Sequence, residues 1–188
     1  MKRIAIFASG KGTNARNIIA YFHHNSIIKI ECIVCTNPKA GVIDVANEAN
    51  IPYYLINRRD LYETDRVLDL LGSSKIDFIV LAGFLWMIPE NILNAFPNRI
   101  INIHPALLPR HGGAGMYGIR VAEAVVTSKE KETGITIHYL NEKFDDGKII
   151  FQKSIPVEET DTPQSLSEKV HELEYQWFPK IIELLLVS

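Results

Sequence analysis

The sequence predicts an α/β fold: one domain with a parallel N-terminal sheet carrying helices on both faces, extended by an antiparallel hairpin and a closing helix. Three observations predict it. Short apolar runs alternate with helically spaced stretches up to Asn102. Past that point two strand-like runs lie close together, separated by a short polar connection. A long amphipathic segment with a helix-start signal follows them.

Each element has its own signature. "RIAIFA" (3–8) is an apolar run followed by a glycine loop and a helical stretch from Asn14 to about His24. "IKIECIVCT" (28–36) is a second strand, and "GVIDVANEAN" has helical spacing. "IPYYLI" is a weaker third strand. Asp60 to Leu71 reads as one helix, with Leu61, Val67, Leu68 and Leu71 on a stripe. "DFIVLAGF" (77–84) is a buried strand. Repeated strand–helix units imply parallel strands. "TGITIHYL" (133–140) and "KIIFQKSIPV" (148–157), joined by "NEKFDDG", suggest an antiparallel hairpin. In the last segment Thr162 can cap a helix that has Pro163 in its first turn.

Composition narrows the classes. The 188 residues are 47% hydrophobic and 22% charged, with a net charge of −2. That is ordinary for a globular protein able to bury a core, and nothing in it argues for nucleic acid or a membrane surface. No apolar run approaches the roughly 20 residues of a membrane span. "MKRIAIFASG" reads as a first strand rather than a signal peptide. Cys32 and Cys35 lie inside a strand-like run, which places them on opposite faces as buried free thiols, and a reducing cytoplasm fits. No repeat, low-complexity segment or linker is present.

Three motifs carry candidate chemistry. "ASGKGTNARN" (8–17) follows a strand and opens a helix, the context of a phosphate cradle. Gly12 lets backbone approach a ligand, and Thr13 and Asn14 can offer N–H groups and side chains; a purely structural tight turn remains the alternative. It lacks the spacing of a Walker loop, and Thr36 and Asn37 stand where a dinucleotide site wants an acid. In "INIHPALLPRHGG" (101–113), Asn102 and His104 share one face at the carboxyl end of a strand. An amide can hold an oxyanion and an imidazole can move a proton, or the two can form a structural pair. No cysteine or acid cluster completes a metal set with His111. In "KFDDGKII", one of the aspartates Asp145 and Asp146 can orient His104 and raise its pKa, or the loop is a solvated turn; composition and spacing leave both open.

Together these stretches resemble the formyl transferases that use formyltetrahydrofolate, whose signature is Asn-x-His-Pro-Ser-Leu-Leu-Pro. "ASGKGTN", "VLAGFLWMI", "KFDDG" and "VHELEYQWFP" resemble, in order and over almost the whole chain, the branch that formylates phosphoribosylglycinamide. The resemblance implies a Rossmann-like formyl transferase fold over 1–188, with a phosphate-binding half (about 1–100) and a catalytic and folate-binding half (about 101–188). It implies transfer of a formyl group from 10-formyltetrahydrofolate, a cosubstrate rather than a bound cofactor, to the glycinamide amine in purine synthesis. Asn102, His104 and Asp145 become a catalytic trio in which Asn102 and a protonated His104 donate to the oxyanion. Gly12, Thr13, Asn14, His171 and Glu174 become the phosphate and ribose site. Leu85, Trp86, Met87 and Ile88, with Asn102, would line the folate pocket on one side. Leu140, Asn141, Glu142, Lys143 and Phe144 would line it on the other. No metal, nucleic acid or membrane is implied, and the state expected is a cytoplasmic monomer or homodimer. Within the "DDG" pair the motif puts Asp145 inward and Asp146 in solvent.

The chain departs from the pattern at Trp86 and Ala122, where many members have arginine and histidine. It also lacks an arginine within 60–65, with Arg59 and Arg66 only neighbours, and "HGGAGMYGIRVAEAV" is longer than usual. A formyltetrahydrofolate hydrolase, or another formyl transferase with the same trio, is the alternative. A hydrolase has no use for a ribotide phosphate loop and usually carries a regulatory domain. A formyl transferase acting on methionyl-tRNA needs a further tRNA-binding domain. A non-catalytic nucleotide-binding module would explain the glycine loop but not Asn102, His104 and Asp145 together.

Overall fold

β1 (Lys2–Phe7) shows how the layers arise. Ile4 and Ile6 point into one apolar cluster and Ala5 and Phe7 into another, all fully buried. After Lys2 and Arg3 the strand is apolar at every position, so both its faces are covered, as a parallel sheet with helices on each side requires. The computed structural model describes residues 1–187. β1, β2 (Ile28–Cys35), β3 (Tyr53–Leu55), β4 (Phe78–Leu81) and β5 (Ile100–His104) run parallel. β6 (Glu132–Tyr139) adds antiparallel to β5 and β7 (Ile149–Pro156) antiparallel to β6, giving one seven-stranded sheet in the order β3-β2-β1-β4-β5-β6-β7. The order reverses between β1 and β4, and ligands of open α/β sheets bind outside the carboxyl ends of strands at such a point.

One face of the sheet is covered by α1 (Thr13–Phe22), α2 (Val42–Glu48) and α7 (Pro163–Val187), through Ile18, Val42, Phe178 and Ile182. The other is covered by α3 (Arg58–Tyr62), α4 (Arg66–Ser73) and α5 (Glu90–Ala95), through Leu61, Val67, Leu71 and Ile92. α6 (Ile119–Thr127) packs with Leu166 of α7 through Ala122 and Val125. The start of α7 is capped in both directions: Ser165 N–H donates to Thr162 Oγ1 and Thr162 N–H to Ser165 Oγ.

The structure corrects the sequence reading of the helices. The helix expected over Asp60 to Leu71 is two helices, α3 and α4. Thr64 Oγ1 donates to the Asp60 carbonyl at 3.2 Å, and this local side-chain bond competes with helical propagation. The apolar stripe survives the break, since Leu61, Val67 and Leu71 are all buried. Neither α5 nor α6 was anticipated: α5 has only six residues and α6 nine, too short for periodicity to stand out. Cys32 and Cys35 are free and buried in opposite clusters, as expected, and burial pushes the Cys32 thiol up to about 12.

Candidate active site

A cleft of about 670 Å³ opens along the carboxyl ends of β1, β4 and β5. One end is the amino terminus of α1. Gly12 holds φ 79 there, and a Cβ on it would lie 2.7 Å from the Val42 Cα, so only glycine permits this turn. No side chain caps the helix, which leaves its first N–H groups free to meet an anion. Asn14 Nδ2 donates to Glu174 Oε2 at 2.8 Å, while Asn14 Oδ1 is buried with no partner. Glu174, only 4% exposed, is also 2.8 Å from His171 Nδ1. That bond to the carboxylate raises the His171 pKa above its ordinary value, against the opposing effect of burial.

At the middle of the cleft β5 presents Asn102 and His104 on one face, with Ile101 and Ile103 turned into the core. Antiparallel pairing sets His138 opposite Asn102 and Thr136 opposite His104. The Asn102 Nδ2 lies 3.3 Å from His138 Nε2 and 3.5 Å from Asp145 Oδ1. His138 Nδ1 faces its neighbour's carbonyl at 2.9 Å, which in that tautomer leaves Nε2 to accept from Asn102. The His104 ring is nearly buried between two acceptors: Nδ1 is 3.4 Å from Asp145 Oδ2, and Nε2–H donates to the His111 carbonyl at 2.8 Å.

Asp145 turns inward, with its side chain 12% exposed, and accepts from Gly113 N–H at 3.0 Å; Asp146 turns out, with its side chain 57% exposed. Gly147 fixes this register, because a Cβ there would fall 1.7 Å from the Tyr139 carbonyl oxygen. Burial pushes the Asp145 carboxyl up, but its contact with His138, the charge of His104 and the Gly113 N–H leave it below its ordinary value.

The expected rise in the His104 pKa is corrected. Burial lowers it, and that outweighs the opposing pulls of Asp145 and the His111 carbonyl. Desolvation disfavours the charged ring more than one partly shielded carboxylate at 3.4 Å favours it.

The far end of the cleft is apolar. Leu85 and Phe144 are half exposed, with Trp86, Met87, Ile88, Leu140, Asn141 and Lys143 beside them. Glu142 is the exception among the expected residues: it is exposed and does not line the cleft, because the loop turns it outward. Trp86 carries the Arg58 guanidinium over its ring at 5.1 Å, an arginine that sequence reasoning passed over for Arg59 and Arg66. Arg66 is instead tied to Asp60 at 2.9 Å.

Thr136 and His138 were missed as well. The signal was there: two polar residues alternate with isoleucines in "ITIHY", on the same sheet face as Asn102 and His104 and directly across the ladder from them. The Thr136 hydroxyl donates to the Ala106 carbonyl and accepts from Leu108 N–H, pinning the chain after the strand.

A helix end with free N–H groups and a buried amide–imidazole–carboxylate group thus share one cleft at the strand ends of an α/β fold, where enzymes of this class place their chemistry. The formyl transferase family model matches residues 2–182, and the chain belongs to that family. It is 35% identical to the Bacillus subtilis (strain 168) phosphoribosylglycinamide formyltransferase, covering 99% of this chain and 95% of that protein. It is 36% identical to the chloroplastic phosphoribosylglycinamide formyltransferase of Arabidopsis thaliana, covering 96% of this chain and 64%, less than two thirds, of that one. The crystal structure of phosphoribosylglycinamide formyltransferase from Bacillus halodurans superposes with a TM-score of 0.88 at 34% identity, over 98% of this chain and 95% of that one. Among the described residues no helix is long and apolar enough to cross a membrane, and no group of three or more metal-ligating side chains could hold an ion.

Proposed function

We propose that this chain transfers the formyl group of 10-formyltetrahydrofolate to the glycinamide amine of 5'-phosphoribosylglycinamide, a step of purine synthesis. The observation that carries the reading is the single cleft joining the open end of α1 to Asn102, His104 and Asp145 and then to an apolar mouth. Phosphate meets Gly12, Thr13, Asn14 and His171 at the helix end, where N–H groups and a cationic imidazole favour negative charge. Both bonds to Glu174 fall on Oε2, which leaves Oε1 for ribose hydroxyls. The pterin lies among Leu85 to Ile88, Leu140, Asn141, Lys143 and Phe144.

The amine nitrogen attacks the formyl carbon, and the carbonyl oxygen becomes an oxyanion. Asn102 has one amide hydrogen directed at His138, and the second, which faces Asp145 at a long 3.5 Å in the free site, turns to that oxygen. His104 supplies a proton donor beside it, held by Asp145. Collapse breaks the bond from carbon to the folate nitrogen, which takes up a proton as the attacking amine loses one. The folate is a cosubstrate consumed in each turnover. We also propose one domain with phosphate binding chiefly in 1–100 and catalysis in 101–188, working in the cytoplasm as a monomer or homodimer.

The test is the absorbance change on mixing purified protein and 10-formyltetrahydrofolate with and without glycinamide ribonucleotide. A signal that requires the ribotide supports transfer, and an equal signal without it means hydrolysis.

A further inference from the structure

The carbonyl that holds His104 belongs to a residue whose own side chain is anchored elsewhere. His111 Nε2 lies 3.1 Å from Glu130 Oε1, in the turn between α6 and β6. Arg110 Nη1 holds the other oxygen of the same carboxylate at 2.7 Å. His111 has φ 54, a left-handed conformation that a non-glycine residue keeps only when its surroundings hold it. Two residues on, Gly113 N–H holds Asp145. The segment 111–113 thus grips both the imidazole and the carboxylate of the trio through backbone groups, and the His111 ring ties it to the body of the protein.

We propose that His111, anchored by Glu130, is a positioning residue: it fixes the carbonyl that holds His104 Nε2 and so sets the orientation and proton affinity of that ring. The inference rests on the reading of His104 as the proton donor of formyl transfer. Groups facing His104 are Asp145 and His138, with Glu174 further away. Those facing His111 are Glu130 and Arg110, while Lys129, Lys131 and Glu132 line the same shallow surface. The His111 carbonyl opposes the burial that lowers the His104 pKa, so releasing it lowers that pKa further.

The experiment compares wild type with His111→Asn, Glu130→Gln and Glu132→Gln. Asparagine tolerates the left-handed backbone but is too short to keep the ring contact. The first readout is histidine NMR titration of His104 without substrates, which does not depend on which reaction is catalysed. The expected result is a His104 titration about half a pH unit lower in His111→Asn, and lower in Glu130→Gln as well. In the transfer assay kcat should fall about tenfold with both KM values within about twofold. Glu132→Gln, which removes only the second carboxylate near Arg110, should match wild type in both readouts. An unmoved His104 titration in His111→Asn overturns the proposal, as does an equal shift in Glu132→Gln. Variants that shift as described while the wild type transfers no formyl group refute the proposed reaction and leave the positioning role standing.

Discussion

His104 is held in a way that a neutral imidazole cannot fully satisfy. Both ring nitrogens face acceptors, Asp145 and the His111 carbonyl, and only the cation donates to both. Burial works in the opposite direction and wins, so the ring gives up its proton more readily than an ordinary histidine. We expect His104→Ala and Asp145→Asn to lose about 100- to 1000-fold in kcat while their circular dichroism stays that of wild type. Near-normal kcat in either variant removes that residue from the mechanism. Asp145 raises the His104 pKa, so Asp145→Asn should also move the alkaline limb of the pH–rate profile to lower pH, while Asp146→Asn leaves it in place. At the proposed ribotide end, Asn14→Ala should raise KM for the ribotide about tenfold and leave KM for the folate nearly unchanged. Equal effects on both substrates would mean a structural loop. Glu174 raises the His171 pKa, so His171 stays cationic to higher pH than a free histidine. Glu174→Gln should therefore make ribotide affinity begin to weaken at a lower pH, read from calorimetric titrations across the neutral range.

At the scale of elements, the site depends on short connections more than on strands and helices. The β6–β7 loop carries Asp145 at φ 52, and Gly147 lies close against the end of β6. Gly147→Ala should push the loop off that strand. The expected outcome is a loss of kcat comparable to Asp145→Asn in a protein that still melts cooperatively, measured by turnover and thermal unfolding side by side. A variant with wild-type kcat would show that the loop accommodates the methyl without moving Asp145. The break between α3 and α4 has a similar origin. The Asn57 and Asp60 capping box fixes the start of α3, and Thr64 ends it by taking the Asp60 carbonyl. Leu61 and Val67 remain on one apolar face, so periodicity survived while the helix did not.

For the whole molecule, shifted groups on several elements give stability a dependence on pH with opposing slopes. His171 is raised, so its contribution is complete below 6.5 and is lost as pH rises through its folded value. His104 is lowered by burial, so stability falls as pH drops from 6.5 toward its folded value. Asp161, held down by Lys169, and Asp60, held down by the Asn57 N–H, add stability above the ordinary carboxylate range that is lost as pH falls through their lowered values. The urea midpoint should pass through a maximum near neutrality and fall steeply in acid. In His171→Gln the decline on the alkaline side should flatten; an unchanged decline would assign it to other groups.

The sequence by itself determined the layers and the order of the motifs. β1, β2, β4 and β5 are legible because burial on both faces demands near-continuous apolar runs, and the hairpin because its connection is too short for a crossover. Gly12, Asn102, His104 and Asp145 stood out because rare residue types fell at the carboxyl ends of strands or in the loops beside them. Tertiary structure alone decided which groups meet. His138 and Thr136 reach the site only through antiparallel register with β5. His111 reaches it through its backbone carbonyl, which carries no sequence signature at all. Arg58 rather than Arg59 or Arg66 lies over Trp86, because α3 turns it toward that ring. The direction of the His104 pKa follows the same rule: pairing with an aspartate can be read from a motif, but desolvation depends on everything packed around the ring.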